Sequence, residues 1–327
     1  MSWFGFLNCY KPSGITSRDV VNIVQRRLQK TKVGHAGTLD PIAEGVLVLG
    51  VGSAARLVTH VQTYPKQYVA AFRLGEHSPS EDTETQSVKP HGLPIPTRSM
   101  IEVAATKMIG RIQQTPSAYS AIHVNGKRAY QRARQGENFE MPSREVVIHS
   151  IQVNHYKYPN LKLTVECGSG TYIRSIGSDL AKSVGSFAIM TALRRSSIGP
   201  FKEDQAVSTE ILANDDLSRF LLPATMAVEN LPKVIVSTDD IQRIRFGQLI
   251  DCKLPPNSNL IEDLNLVTRS SIRAGDEPDQ KEQTELVALN EQGQLIALLR
   301  PKNGQWHPYR VFPSGDVETR NDLEVKK

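Results

Sequence analysis

Apolar and polar positions change period several times along the 327 residues, and each change predicts an element. Phe4–Cys9 is an apolar run that reads as a strand, and Lys11-Pro12-Ser13-Gly14 is a turn. From Thr16 or Ser17 the period lengthens to that of a helix. Val20, Val24 and Leu28 share one face, and Thr16 with Asp19 forms a capping-box-like start. A glycine-rich loop leads into a strand at Val46–Val51 and a short helix near Ala54–His60. Lys66–Leu74 reads as a further strand, residues 75–96 as a polar, proline-rich loop and Ile101–Ile109 as a helix. Lys127–Arg134 is read as a second, basic helix. Val146–Tyr156 and Leu161–Cys167 form two antiparallel strands across Pro159-Asn160. In Tyr172–Val184, Ile173, Ile176 and Leu180 fall on one side of a helix. Strands mixed with helices, without a strict βαβ rhythm, predict an α+β domain.

Near Leu222-Pro223 the character changes. Thr238–Phe246 is a short helix, and strands follow at Leu286–Leu289, Leu295–Leu299 and Tyr309–Phe312. The expected division is a first domain over 1–225 and a small β-rich one over 226–313, with a polar, strand-poor insertion at 251–284. A disordered tail is expected over 314–327.

Composition narrows the class. Apolar residues are 39% and charged residues 22%, which fits a folded globular chain and not a disordered one. Three distant cysteines, Cys9, Cys167 and Cys252, form no CxxC pair, and the eight histidines lack ligand spacing, so no metal is expected. With no secretion signal or spanning segment, the expected location is the cytoplasm. No apolar interface pattern stands out, so the expected state is a monomer without an obligate protein partner. Net charge is only +5, yet Arg111, Lys127, Arg128, Arg132 and Arg134 occur within 111–134 without a single acid. That segment suggests either a polyanion-binding face or a solvated helix face.

The chemistry concentrates in Gly34-His35-Ala36-Gly37-Thr38-Leu39-Asp40-Pro41-Ile42-Ala43-Glu44-Gly45-Val46-Leu47. Glycines admit backbone angles closed to other residues, while Pro41 fixes its own φ and pushes Asp40 toward an extended conformation. A tight loop thus holds one carboxylate at the mouth of a buried strand. An Asp-Pro turn would look the same. A phosphate cradle is excluded, since there is neither a GK[ST] ending nor a G-x-G-x-x-G opening a helix.

This loop resembles the active-site motif of the bacterial tRNA pseudouridine synthase B family. Further segments resemble the same family in order: Leu7–Ser17 with Lys11-Pro12, Lys66-Gln67-Tyr68, Pro116–Ala121, Gly126–Gly136, Gly170–Ile176 and Leu193-Arg194-Arg195. The resemblance covers roughly residues 4 to 200. It implies a catalytic domain with a mixed, largely antiparallel sheet flanked by helices, and a small C-terminal PUA-like RNA-binding domain. It also implies cofactor-free isomerisation of uridine 55 in the T-arm loop of tRNA.

The family's site residues transfer position by position. Asp40 matches the catalytic aspartate, which could act covalently or as a base. Arg174 matches its ion-pair partner, and Tyr68 matches the tyrosine packed on the target base. Tyr172 and Leu193 match pocket-lining positions. His35 matches the histidine that fills the space left in the RNA by the displaced base. Lys11 is expected to buttress the loop or contact phosphate. Lys127, Arg128, Arg132 and Arg134 lie in the segment, near 111–136, that closes on RNA. Two departures stand out: Ala55-Arg56 replaces a common Thr-Lys, and Ser169 replaces a common lysine.

Overall fold

The computed structural model describes residues 3–120, 122–124, 126–252 and 284–313. Most of the expected insertion and the whole expected tail lie outside the described residues. The chain forms two compact units. One comprises Leu7–Leu49 and Val58–Leu221; the other gathers Met1–Phe6, Gly50–Leu57 and the chain from Leu222 onward.

The larger unit is organised by a ten-stranded sheet. In chain order its elements are β1 (Phe4–Lys11), α1 (Ser17–Arg27), β2 (Val33–His35), β3 (Ala43–Gly52), α2 (Val58–Thr63), β4 (Lys66–Leu74), α3 (Arg98–Lys107) and β5 (Gly110–Gln114). There follow β6 (His123–Val124), β7 (Lys127–Arg128), α4 (Ala129–Arg134), β8 (Arg144–Lys157), β9 (Asn160–Cys167), α5 (Ile173–Ser183), β10 (Ala188–Ile198), β11 (Phe201–Lys202), β12 (Val207–Ser208) and α6 (Thr209–Asn214). The strand order is β12-β1-β3-β10-β4-β9-β8-β5, with β2 on β3 and β11 on β10. From β10 outward to β5 every pairing is antiparallel, whereas β10 on β3 and β1 on β12 are parallel. The sheet is mixed and largely antiparallel, on an α+β plan.

Local sequence explains several elements directly. Strand β4 alternates buried and half-buried residues, so one face enters the core. At the start of α1 the Thr16 side chain accepts from the Asp19 amide while the Asp19 carboxylate accepts from the Thr16 amide, a complete capping box. Helix α5 buries Ile173, Ile176, Leu180 and Ala181 against strand residues that include Phe72 and Leu163. Its approach to β4 requires Gly177, because a Cβ there would lie 2.0 Å from the Phe72 ring.

Three differences from the sequence reading have physical causes. Strand β10 was not expected, yet it is the hinge of the sheet. From Leu193 to Ser197 its residues alternate buried and half-buried, but two of the buried positions are Arg195 and Ser197, so the hydrophobic pattern does not show the alternation. The basic helix over 127–134 is shorter than expected. Gly126, at φ +80, turns the chain so that Lys127–Arg128 pair with His123–Val124, and only Ala129–Arg134 is helical. The polar loop 75–96 is also less exposed than its composition suggests, since Ser78, Ser80 and Asp82 are all buried.

In the other unit, β13 (Lys233–Ile235), α7 (Thr238–Arg245), β14 (Leu286–Leu289), β15 (Leu295–Lys302) and β16 (Gln305–Val311) build a four-stranded sheet in the order β13-β14-β15-β16. Its core includes Ile244, Ile250, Leu286, Ile296, Leu299 and Trp306. It is a small β-rich module.

Candidate active site

Asp40 sits on a loop that the neighbouring chain holds at many points. Gly14 donates its amide to the Pro41 carbonyl at 2.8 Å, and Ser13 Oγ donates to the Ile42 carbonyl at 3.1 Å. Ser17 Oγ accepts from the Leu39 amide at 2.8 Å and donates to the Leu39 carbonyl at 3.1 Å. Lys11 is fully buried, and its ammonium donates to the carbonyls of Pro12, Ile15 and Ala43 at 2.9, 2.7 and 2.6 Å. Burial lowers its pKa to about 8, although nearby Asp40 opposes the shift. On the other side Arg195 donates to the Val46 carbonyl at 2.8 Å and the Gly37 carbonyl at 3.1 Å. Gly45 closes the brace. It has φ +104, and a Cβ there would lie 2.3 Å from the Arg195 carbonyl oxygen. No side chain fits.

The loop forms one wall of a cavity of about 380 Å³. Gly37–Asp40 face Gly168–Arg174 across it, with Tyr68, Lys66, Leu193 and Arg195 also lining it and Arg144 and Gln62 completing the wall. Asp40 is the sole carboxylate among the described lining residues. Its side chain is 44% exposed, and one oxygen lies 3.3 Å from the Arg174 guanidinium. Arg174, only 6% exposed, is shared: its other nitrogen lies 3.1 Å from Asp82, whose side chain is 3% exposed. The same guanidinium donates to the Ser80 carbonyl at 3.2 Å and the Tyr119 carbonyl at 3.4 Å. One face of the Asp40 carboxylate is therefore fixed, and the rest remains open to the cavity.

Sequence reasoning missed Asp82. Its loop is rich in Ser, Thr and Glu, and only the fold shows that the serines hydrogen-bond inward and bury it. Gln114 was missed too. Fully buried, it donates to the Tyr172 carbonyl at 3.0 Å and accepts from the Tyr172 amide at 2.7 Å, which fixes the loop before α5.

Tyr68 is buried at the cavity wall. Burial raises its pKa above the usual phenol value, and the Arg195 charge offsets this only in part, so the hydroxyl keeps its proton across the working pH range. Lys66, also buried, donates to the Gln62 and Tyr64 carbonyls at 2.6 and 2.8 Å, and desolvation lowers its pKa to about 8. Five expected positions thus come together, since Asp40, Tyr68, Tyr172, Arg174 and Leu193 line the one cavity while Lys11 supports its loop from below. His35 stands apart from that wall. It is half-buried on β2, with its pKa lowered by burial and by Arg195 and Arg18, and with Nδ1 unpartnered. The basic residues 127–134 are likewise outside the wall. Arg132 pairs with Glu137 at 2.6 Å, Arg134 pairs with Glu84 at 2.5 Å, and Lys127 and Arg128 are exposed.

Among the described residues, no cluster of three or more His, Cys, Asp or Glu side chains could hold a metal ion, and no helix is long and apolar enough to cross a membrane.

Residues 25–173 match the model of the TruB family pseudouridylate synthase N-terminal domain. The tRNA pseudouridine synthase B of Rhodopirellula baltica is 38% identical, with 96% of each chain covered. The chain belongs to the TruB family of pseudouridine synthases. Enzymes of the TruB family are isomerases, and the tRNA pseudouridine synthase B of Arthrobacter sp. is 37% identical over 94% of this chain and 96% of its own. Among solved structures, an H/ACA RNP bound to a substrate RNA containing 2′-deoxyuridine matches at 24% identity. Its TM-score is 0.66, with 94% of this chain and 85% of that chain covered. A Cbf5-Nop10-Gar1 complex matches equally well, with TM-score 0.66 at 24% identity over 94% of this chain and 84% of that one. These two share the TruB fold.

Proposed function

We propose that the protein is a tRNA pseudouridine synthase acting on uridine 55 of the T-arm loop, with Asp40 as catalyst. The observation that carries this reading is the single carboxylate among the described residues of the cavity, half exposed and held by a buried arginine. It is supported by curated relatives that are named tRNA pseudouridine synthase B and matched over nearly their full length.

A stacked uridine reaches such a cavity only by leaving its stack, at a cost of a few kcal/mol. Tyr68 and Leu193 offer a phenol face and an aliphatic wall for the base, and Tyr172 closes the side. The Asp40 carboxylate then acts on the nucleotide as nucleophile or base while Arg174, 3.3 Å away, orients it. The bond from C1′ to N1 breaks, the ring turns, and a bond from C1′ to C5 forms. C5 loses its proton and N1 gains one, so nothing is added overall. Lys11 serves the loop and not the RNA, because its ammonium is enclosed by three carbonyls. His35 and the exposed Lys127 and Arg128 act on the RNA outside the cavity, and the module from 226 onward grips the tRNA elsewhere.

The test is incubation with unmodified tRNA transcript followed by carbodiimide treatment and primer extension. One new stop is expected in the T loop, and none with Asp40→Ala. A stop elsewhere overturns the substrate assignment, and an unchanged stop with Asp40→Ala overturns the catalyst.

A further inference from the structure

Three arginines line the cavity, and their hydrogen-bonding capacity differs. Arg174 is engaged by Asp40, Asp82 and the Ser80 and Tyr119 carbonyls, and Arg195 by Val46 and Gly37. Arg144, the first residue of β8, has spare donors. Its guanidinium carbon lies 4.5 Å from the centre of the Tyr172 ring, and one terminal nitrogen donates to the Gly170 carbonyl. Nε is buried without a partner, and among the described residues no ion pair engages the group. A charged, planar donor set is thus held by stacking with part of its edge unused. The close fit depends on Gly170 at φ +84, where a Cβ would come within 3.4 Å of the guanidinium carbon.

The position of Arg144 decides what it can bind. Tyr68 and Arg195 are buried at the floor, whereas Arg144 is half-buried beside the exposed Ser169 and Gly170 at the rim. A nucleotide entering base first brings its ribose to Asp40 and leaves its phosphates at that rim. We propose that Arg144 is the phosphate-binding residue of the site, gripping the backbone phosphate next to the nucleotide whose base occupies the cavity. This rests on the RNA-modifying function proposed above. A stacked guanidinium suits the task, because its fork matches two phosphate oxygens and its face is fixed in advance by Tyr172.

The experiment uses an unmodified T-arm stem-loop RNA carrying tritium at uridine C5, with one phosphate at a time replaced by uncharged methylphosphonate. Tritium release gives kcat and KM, and filter retention gives affinity. With the parent protein, neutralising one phosphate beside the target uridine is expected to raise KM about tenfold, the worth of a charge-assisted contact. Arg144→Met should raise KM by the same factor on native RNA, with kcat held within about twofold, and show no added penalty on the neutralised RNA. Its salt slope should fall by about 0.7, the contribution of one single-strand phosphate. Arg144→Lys should fall between the two.

The proposal is overturned if the methylphosphonate penalty survives intact in Arg144→Met, or if kcat collapses while KM stands. It is equally overturned if the parent protein shows no single sensitive phosphate, a result that needs no variant to fold. If the parent releases no tritium at all, the proposed function fails instead, and filter retention still reads the phosphate profile.

Discussion

Replacing Asp82 by Asn probes the chain of charges that holds Asp40, the proposed catalyst. In the parent protein the Arg174 guanidinium lies 3.1 Å from Asp82 and 3.3 Å from Asp40, with Asp82 almost wholly enclosed. Asp82 also accepts the Glu84 amide at 2.9 Å, so both of its oxygens are used. An asparagine of the same size keeps one acceptor and turns an NH₂ group toward either the guanidinium or the amide. Either way a buried donor faces a donor. A hydrogen bond between charged groups contributes about 1.5–3 kcal/mol. If Arg174 loses its seat and passes the misplacement to Asp40, kcat should fall about 10- to 150-fold. KM should change little, because Asp82 does not line the cavity. Breaking a buried pair costs about 3 kcal/mol or more in stability, which lowers Tm by about 6–12 °C for a unit of this size. Single-turnover tritium release and thermal unfolding followed by near-ultraviolet circular dichroism measure the two effects separately. A variant with parental kcat and a lowered Tm would show that Asp82 stabilises the fold without orienting Arg174. Parental values of both would refute the reasoning altogether.

Three further outcomes are expected. Gly45→Ala should abolish activity and cost several °C in Tm, since its Cβ would meet the Arg195 carbonyl at 2.3 Å; Gly92→Ala, at φ +75 in open space, should cost only about 1 kcal/mol and leave activity intact. A Gly45→Ala enzyme with normal turnover would dismiss the brace. Lys11 and Lys66 have pKa values of about 8 when folded against 10.5 when unfolded, so between pH 8 and 10.5 the unfolded chain holds more protons and stability should rise with pH. The gain is at most about 3 kcal/mol per lysine, and Lys66→Met should flatten the curve in urea titrations across that window; an identical curve contradicts the assignment. Finally, Lys127→Ala with Arg128→Ala should reduce the salt slope of RNA binding more than Arg132→Ala with Arg134→Ala, whose charges are already paired with Glu137 and Glu84. The reverse order would place α4, and not the β6–β7 hairpin, against the RNA.

How far these features were legible in the sequence depends on how local their causes are. Strand Lys66–Leu74 and the Thr16–Asp19 capping box are set by neighbouring residues, and both occur where the pattern puts them. Strand β10 is set by what surrounds it. An arginine at its centre is buried only because the Gly37 and Val46 carbonyls, some 150 residues earlier in the chain, accept its protons. Asp82 fails the same way, as a solvent-loop residue by composition and a buried ion by geometry. Asp40, Tyr68 and Arg174 were reached through family motifs and not through periodicity. Spacing alone gives no reason for residues 40, 68 and 174 to share one cavity.

The Arg195 contacts have a consequence for how the molecule comes into being. The contacts from Lys11, Ser13, Gly14 and Ser17 come from near the start of the chain, but Arg174 and, last, the Arg195 clasp arrive much later. During synthesis the carboxylate emerges early, and its loop stays without that clasp until most of the larger unit has left the ribosome. A chain interrupted anywhere before residue 195 carries Asp40, the proposed catalyst, without the Arg195 contacts that complete its loop. The protein thereby links activity to completion, and RNA modification doubles as a readout that the sheet has closed.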